Sequence, residues 1–430
     1  MASSSKNIKE VIDGNETLAL FFEKADWHFK SNRKNINTLV AMLADIPDFR
    51  LRGMIKYKLE NILALCLYLA LKEEFHSFHH AAIYIRYHED RFVKMGLISK
   101  GECPSHDTLQ RVYSMLDSNE YRDAVIGRIK EFMVKMIEND PRNNKRKRLL
   151  QVDGKEFRGS GRVKTTINEE KGNINVFNIY DYSYGLCVSS TPLEDKESEI
   201  KECKRMLRKF NLSNTVVTAD ALHCQRDIAE IILSRKGEYV LRVKDNQKNL
   251  KKEIKRRFKE FNKQIVKVFY NDIDYSFLVL KEVYQDSEFP GVKIYGKALS
   301  NKRKNNDARK KNTMYFISSS DNVELVKECF DLRWKIEDDL HKFKDDFCKE
   351  DECSFTNKNA IKNMAVTNNI VHALYKIAAS INNDTVDIAK IKYKEEPEKM
   401  LNMLLPLFKG NTATNLIKEN MRGTKKSKKK

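Results

Sequence analysis

Two aspartates in this sequence stand at the ends of short apolar segments. Residues 149–152 lead directly to Asp153, and residues 215–219 lead directly to Asp220. Apolar and β-branched runs of this length, the first followed at once by Gly154, predict buried strands that end on a carboxylate. Mg²⁺ prefers carboxylates, because it binds few protein oxygens and keeps water and phosphate in the rest of its shell. Two such ions about 3.5–4 Å apart can activate an attacking oxygen and stabilise a leaving oxygen in phosphodiester cleavage.

The segments around these aspartates predict three strands in a row, followed by alternating helices and strands. A turn at residues 182–185 separates the second and third strands, which indicates an antiparallel meander. The predicted elements are strands at 149–153, 173–180 and 186–191, a helix at 196–210, a strand at 215–220, a helix at 224–235 and a strand at 239–243. The order β-β-β-α-β-α-β is that of the ribonuclease-H-like fold, and we expect Asp153 and Asp220 to end neighbouring strands.

Six short motifs along the chain resemble those of the DDE transposases of bacterial insertion sequences. The likeness is to the branch that contains the H-repeat-associated proteins, and it covers about residues 37–380. The matching motifs lie at 153–155 with 158–159, 196–200, 218–221 with 224–225, 244–247, 315–319, and 334–337 with 340–341. Each motif is weak alone, but their common order makes chance a poor explanation. The resemblance implies an α/β fold class: a ribonuclease-H-like catalytic core with a mainly β insertion, preceded by an all-α accessory domain.

The candidate for the third carboxylate of such a site is Glu337, on a helix predicted at about residues 323–347. Apolar side chains at steps of three or four residues form one face of this helix. A second face carries Phe330, Arg333, Glu337, His341 and Lys344. Taken alone, its charges are typical of exposed pairs four residues apart, but the face resembles the Tyr-Arg-Glu-Lys signature of related transposases. The resemblance implies that Glu337 binds metal together with the two aspartates. Arg333 and Lys344 would then hold DNA phosphates.

Other polar side chains near these motifs are candidate DNA contacts. Lys155 and Arg158 lie in the motif that begins with Asp153. Asn246 and Gln247 follow the last predicted core strand, where their amides could contact DNA. An ordinary turn is an equally good interpretation of these two amides.

Some positions depart from the family pattern. Lys335, Asp338 and Lys342 stand where the H-repeat-associated branch usually has Gly, Asn and Trp. None of these changes removes a candidate metal ligand, and they leave open whether Asp338 or Asp339 assists the site as a further acid. Glu350 begins a Glu-Asp pair that matches the family, and we expect it to have a structural or supporting role.

The composition indicates a polyanionic partner, and it argues against a disulfide-rich scaffold. The 430 residues carry a formal net charge of +19, and the pI is about 9.3. This basic excess favours DNA, RNA or an acidic membrane surface. Eight cysteines without a Cys-x-x-Cys pair, and no signal peptide, predict a reduced cytosolic chain. The most apolar run, at residues 62–71, is about half the roughly 20 residues that a bilayer requires, so we expect no membrane span.

A basic segment at residues 141–148 separates a helical first part from the strands and marks a domain boundary. The chain between Asp220 and Glu337 is longer than one helix and one strand require, and its β-like stretches predict an insertion there. The predicted division is an N-terminal extension at 1–35, a helical accessory DNA-binding domain at 36–141, a DDE catalytic domain at 142–380 with a β insertion at about 248–312, and a helical C-terminal region with a basic tail at 381–430.

The sequence therefore predicts a DDE transposase that uses two Mg²⁺ or Mn²⁺ ions per active site. It would cleave double-stranded DNA at transposon ends and transfer the strands into target DNA. Two transposon ends must be held together, so we expect a homodimer on DNA. We expect no membrane partner. The expected location is the cytoplasm, in association with the nucleoid, or the nucleus of a eukaryotic host. Two alternatives stay open: a metal-dependent nuclease of the same fold, and a domesticated DNA-binding protein that has lost transposition.

Overall fold

A computed structural model describes residues 36–138, 147–157, 174–193, 196–261, 265–268, 275–281, 289–300, 313–332 and 337–408. The predictions made for residues 1–35, for the basic tail, and for Arg158 and Arg333 fall outside these ranges. Of the helices in the described ranges, none is both long and apolar enough to cross a bilayer. The described chain forms a helical first part, a mixed sheet and a helical last part.

The first part of the described chain is a group of mostly short helices with a buried core. Its helices are α1 (Ile36–Leu43), α2 (Leu59–Leu71), α3 (Phe78–Tyr87), α4 (Glu89–Lys94), α5 (His106–Met115), α6 (Ser118–Arg122) and α7 (Arg128–Glu138), with a π-helical turn at Asp123–Gly127 before α7. Helix α2 is buried along almost all of its length. Ser105 caps the N-terminus of α5, because its Oγ accepts a hydrogen bond from the Thr108 N–H at 3.3 Å.

The central sheet is built on the predicted strands. Its core elements are β1 (Arg148–Phe157), β2 (Ile174–Asp181), β3 (Leu186–Leu193), α8 (Lys196–Leu207), β4 (Thr215–Ala219), α9 (Arg226–Ser234) and β5 (Glu238–Val243). Strands β1, β2 and β3 form an antiparallel meander. On its other side β1 pairs in parallel with β4, and β4 pairs in parallel with β5. The order β3-β2-β1-β4-β5 is that of the ribonuclease-H-like fold, so the predicted fold class is confirmed.

The chain that follows β5 extends the same sheet. It contains a 3-10 turn (Asp245–Gln247), α10 (Lys248–Glu260), β6 (Ile265–Val268), β7 (Tyr275–Lys281), β8 (Ile294–Ser300) and β9 (Thr313–Ser318). Strand β9 pairs antiparallel with β5, and β8, β7 and β6 continue outward from it, which gives nine strands in the order β3-β2-β1-β4-β5-β9-β8-β7-β6. The predicted β stretches are therefore present, but they enlarge the core sheet and are preceded by a helix.

The last part of the described chain is helical. It contains α11 (Val323–Leu332), a π-helical turn (Glu337–His341), α12 (Lys342–Asp346), a 3-10 turn (Glu350–Glu352), α13 (Lys358–Ile381), α14 (Val386–Tyr393) and α15 (Pro397–Leu404), which runs into a 3-10 turn (Leu405–Phe408). The single regular helix predicted at residues 323–347 is thus wrong. A π-helical turn uses more residues per turn than an α-helix, so side chains before and after it no longer share one face.

Helices cover both faces of the core sheet. Leu150 and Val152 of β1 belong to one hydrophobic core that also contains Ile228 of α9. Leu149 points to the other face and packs in a second core with Leu325 of α11. This alternation follows from the two-residue period of a strand, and it leaves Gln151, Asp153 and Lys155 on the same face as Leu149.

Helix α13 connects the accessory helices to the sheet. It is buried along almost its whole length. The Thr367 hydroxyl lies 3.0 Å from the Tyr113 hydroxyl of α5. Further along α13, the Lys376 ammonium donates to the Tyr180 hydroxyl of β2 at 2.7 Å. One helix therefore contacts both parts of the molecule.

Candidate active site

Asp153 and Asp220 are neighbours at one edge of the parallel part of the sheet. The register of β1 and β4 pairs Val152 with Ala219, so the two aspartates are the next residues along adjacent strands. Adjacent strands lie about 4.8 Å apart, which brings the two residues close together. Strand β1 continues to Phe157 beside β2, so Asp153 marks the end of the pairing with β4 and not, as predicted, the end of its strand.

Backbone groups fix both carboxylates. The Gly154 N–H donates to Asp153 Oδ1 at 3.0 Å, and the Leu222 N–H donates to Asp220 Oδ1 at 2.9 Å. The Asp153 side chain keeps 18% of its surface exposed, and Asp220 is half-buried. Two fixed, partly exposed carboxylates provide the hard oxygen donors that suit Mg²⁺ or Mn²⁺.

The third predicted carboxylate lies on the π-helical turn Glu337–His341. The structure describes the backbone of Glu337 there but not its side chain. His341, the last residue of this turn, is buried, and its Nδ1 lies 3.8 Å from Asp153 Oδ2. The turn that contains Glu337 is therefore packed against β1 at Asp153. Among the described side chains, no three His, Cys, Asp or Glu residues form a metal-binding group, and the direct contribution of Glu337 stays a prediction.

Asp339 anchors this turn to the rest of the fold. Its carboxylate forms an ion pair with the buried Lys376 of α13 and accepts a hydrogen bond from the Tyr180 hydroxyl at 3.2 Å. His372 Nε2 lies 3.8 Å from the other Asp339 oxygen. Burial alone would raise the pKa of Asp339, but Lys376 and His372 together outweigh burial and hold the pKa well below its usual range. Asp339 is therefore an ionised anchor, which answers the question left open for it by the sequence.

The two lysines predicted to contact DNA are buried in a second ion-pair network. Lys155 Nζ donates to Glu350 Oε2 at 2.8 Å and also to Asp345. Lys344 is 1% exposed, and its Nζ lies 4.0 Å from Glu350 Oε1 and 3.5 Å from Asn178 Oδ1. The structure places both ammonium groups inside the protein beside a carboxylate and does not place them on the surface. Phosphate contacts by Lys155 and Lys344 stay predictions.

Glu350 is the centre of that network. It is fully buried, and its Oε1 accepts a hydrogen bond from Asn368 Nδ2 at 3.0 Å. Burial alone would raise the pKa of Glu350, but Lys344 and Lys155 outweigh burial and lower the pKa to about 2. The network joins β1, α12 and α13, which agrees with the structural role expected for the family's Glu-Asp pair.

Asn246 and Gln247 support the loop that follows Asp220. Asn246 Nδ2 donates to the Ala221 carbonyl at 2.6 Å, and Gln247 Nε2 donates to the Cys224 carbonyl at 2.9 Å. The structure thus favours the turn interpretation of these amides over the predicted DNA contact. Their bonds fix the backbone directly after the second aspartate.

The sequence pattern missed the residues that anchor Asp339. Tyr180, His372 and Lys376 are buried polar residues, and no motif drew attention to them. A signal was present, because the polar residues Asn368, His372 and Lys376 recur at steps of four residues along this buried helix. Polar residues at helical spacing inside a buried helix indicate a partner across the interface.

Comparisons with known proteins show which family this chain resembles. Residues 144–374 match the family model described as "Transposase DDE domain", and residues 40–127 match the one described as "DDE_Tnp_1-associated". YncI of Escherichia coli O157:H7 is 28% identical over 381 residues, which cover 82% of this chain and 89% of the relative. The H repeat-associated protein YhhI of Escherichia coli (strain K12) is 24% identical over 347 residues, 76% of this chain and 86% of the relative. Both are named as candidate transposases.

One solved structure also aligns with most of the chain. A piggyBac transposase synaptic complex with hairpin DNA covers 97% of this chain and 86% of its own, with 14% identity and a TM-score of 0.38. That similarity is too low to support a conclusion. The family matches and the H repeat-associated relatives confirm the resemblance seen in the sequence.

Proposed function

The chain belongs to the transposase DDE domain family, and we propose that it cleaves DNA at transposon ends and joins the freed ends to target DNA. The observation that supports this proposal most strongly is that Asp153 and Asp220 directly follow Val152 and Ala219, which are paired on adjacent parallel strands of a ribonuclease-H-like sheet. The relatives named as candidate transposases support the same class of reaction.

In this proposal Asp153, Asp220 and Glu337 hold two Mg²⁺ or Mn²⁺ ions, which when bound lower the barrier to attack on a phosphodiester. The chain's own contribution is to keep the carboxylates in place. The Gly154 and Leu222 N–H groups already orient the two aspartates, so little side-chain entropy is lost when a cation binds. His341 and Asp339 hold the turn that contains Glu337 next to Asp153.

The proposed reaction has two steps, cleavage and strand transfer. In cleavage, the oxygen of water forms a new P–O bond, while the 3′ oxygen of the adjoining nucleotide leaves and takes a proton. In strand transfer, that 3′-hydroxyl loses its proton and forms a P–O bond with a target phosphate, while the target's own 3′ oxygen leaves. Two transposon ends must react together, so we propose that a dimer assembles on double-stranded DNA, in the cytoplasm of a bacterial host.

A basic helix that begins at the same end of the sheet as the aspartates supports DNA as the partner. Helix α10 follows β5, whose carboxyl end lies at the same sheet edge as Asp220. The steps between its exposed lysines are four, three and four residues, so they form one row, which we call the α10 lysine row. The row consists of Lys248, Lys252, Lys255 and Lys259. It spans about 16 Å at 1.5 Å per residue, enough to follow several phosphates of one strand.

The test is cleavage of a labelled DNA that carries the repeats flanking the gene, in Mg²⁺ or Mn²⁺. The variants are Asp153→Asn, Asp220→Asn and Glu337→Gln, which keep the shape of each side chain and remove its charge. The control is Glu230→Gln on α9, an exposed acid that pairs with Arg226 four residues earlier. We expect the three site variants to bind DNA and to lose at least 10³-fold in cleavage rate, roughly the effect of removing a major charge-stabilising group.

Other outcomes separate the alternatives. Cleavage without joined products would favour the metal-dependent nuclease of the same fold. Binding without cleavage by the wild type, in either metal, would favour the domesticated DNA-binding protein. A site variant that cuts normally would remove that carboxylate from the proposed metal site.

A further inference from the structure

Glu199 and His223 form a buried acid–base pair close to the segments that carry the two aspartates. His223 Nε2 is 2.9 Å from Glu199 Oε1. His223 is fully buried, and the Glu199 side chain keeps 10% of its surface exposed. Glu199 lies in a motif matched by the family, but no role in the reaction follows from the motif. Burial of such a pair costs free energy, and the contacts of the pair with the two aspartate segments show what it can contribute there.

Glu199 contacts the backbone of β1 directly beside Asp153. A Cβ atom placed on Gly154 would lie 2.6 Å from the carboxylate carbon and both oxygens of Glu199. No side chain other than hydrogen fits there without moving the carboxylate. Successive residues of a strand face opposite sides, so Glu199 supports β1 from the face opposite to the Asp153 side chain.

His223 lies on the loop that follows Asp220. Its ring packs edge-on against Phe177 of β2, with centroids 5.8 Å apart. Burial lowers the pKa of His223, but contacts with the Cys203 thiol and the Glu199 carboxylate outweigh burial and raise the pKa to about 10. The Glu199–His223 contact thus joins the loop of the second aspartate to the strand of the first. Asn246 and Gln247 hold the same loop from its other side.

We propose that Glu199 and His223 are positioning residues that set the spacing of Asp153 and Asp220, and so determine how tightly the pair binds a divalent cation. This inference rests on the proposed metal site. Neither side chain faces the reacting groups: Glu199 acts through Gly154, and His223 acts through the loop backbone. Loss of this pair should therefore weaken cation binding more than the loss of a distant contact that lowers the melting temperature equally.

The experiment measures Mn²⁺ binding to the full chain by electron paramagnetic resonance, together with the melting temperature. Glu199→Ala removes both contacts and should weaken Mn²⁺ binding at least tenfold. Glu199→Gln keeps the shape and a hydrogen bond to His223 and should stay within threefold of the wild type. Tyr121→Phe serves as the control. It removes a hydroxyl of the accessory helices that lies next to Thr367 of α13. It should lower the melting temperature and leave Mn²⁺ affinity unchanged.

A double variant gives a second test. Gly154→Ala alone should weaken Mn²⁺ binding, because its methyl group displaces the Glu199 carboxylate. In the Gly154→Ala/Glu199→Ala protein the methyl group enters the vacated space, so the two losses should be clearly less than additive.

The outcomes separate this inference from the proposed function. If Glu199→Ala lowers the melting temperature and leaves Mn²⁺ affinity within twofold, the positioning role is wrong and the metal site stands. If Asp153→Asn also binds Mn²⁺ like the wild type, the proposed metal site itself is wrong. Additive losses in the double variant would show that Gly154 and Glu199 act separately and would also overturn the positioning role.

Discussion

Asp339 and the buried Lys376 form an ion pair that connects the turn containing Glu337 to helix α13. Lys376 is 3% exposed, and the Tyr180 hydroxyl bonds to both members of the pair. Ions of opposite charge are stable inside a protein only when their hydrogen-bonding capacity is also satisfied. The position of the third proposed carboxylate therefore depends on a lysine in a different helix.

Asp339→Asn should destabilise the protein strongly, because it leaves the Lys376 ammonium buried without a counter-charge. Breaking a buried pair on one side costs about 3–5 kcal/mol. Urea denaturation of the wild type and the variant measures this difference in the free energy of unfolding. Asp339→Leu combined with Lys376→Met removes both charges and should recover much of the loss. A cost below about 1 kcal/mol for Asp339→Asn would show that the pair does not anchor the turn.

Asn246→Ala and Gln247→Ala should reduce cleavage without changing DNA affinity. Both amides donate to the backbone of the loop after Asp220, so their loss should allow this aspartate to move. A 1 Å displacement of a catalytic group can cost about 10²-fold in rate. Parallel measurements of the dissociation constant and the single-turnover cleavage rate distinguish the two roles. A weaker dissociation constant with an unchanged rate would restore the DNA contact predicted from the sequence.

The core of the fold could be predicted because its information is local. Each core strand is an apolar or alternating run bounded by polar residues, and the strand-helix order alone determines a small set of topologies. The pairing of β9 with β5 is not local. It depends on whether β5 has a free side to which another strand can bond, and no single segment of the sequence encodes that. The sequence therefore predicts the β stretches of the insertion, but it does not predict that they join the core sheet.

The same distinction explains the candidate site. Asp153 and Asp220 end apolar runs, so their adjacency follows from the strand order. Lys155 and Lys344 have the charge expected of phosphate ligands, but a sequence does not show that Glu350 is buried between them. The π-helical turn after α11 also has no simple sequence signal, because one extra residue per turn changes the facing of side chains without changing the composition.

The protein should lose stability in acid as Glu350 is protonated. Its pKa is lowered to about 2 in the folded chain from an ordinary value of 4.5. A group with a lowered pKa stabilises the fold above its unfolded value, so this contribution is complete above about pH 4.5 and is lost as the pH falls towards 2. Glu350→Gln should reduce the free energy of unfolding by about 3–5 kcal/mol at pH 7 and flatten its pH dependence between pH 4.5 and 2. Urea denaturation at a series of pH values tests both effects, with the exposed-acid variant Glu230→Gln as the control.

The α10 lysine row should contribute to DNA affinity through phosphate contacts. Other charges of α10 are paired within the helix or with the preceding turn, as for Lys251 with Asp245 and Arg256 with Glu260. Each phosphate contact adds about 0.9 to the slope of log affinity against log salt concentration. Lys252→Gln with Lys259→Gln should therefore reduce that slope by about two and weaken binding equally for specific and random DNA.

The matched control for this measurement uses two exposed lysines at the other edge of the sheet. Lys209 precedes β4 and Lys236 precedes β5, so both lie at the amino ends of the strands whose carboxyl ends adjoin the aspartates. Lys209→Gln with Lys236→Gln removes the same charge from the chain. If affinity depends only on the net charge, the two double variants should change the salt slope equally. A reduced slope for the α10 variant alone would assign the DNA path to the edge that contains Asp153 and Asp220, because only there does the removed charge meet a phosphate.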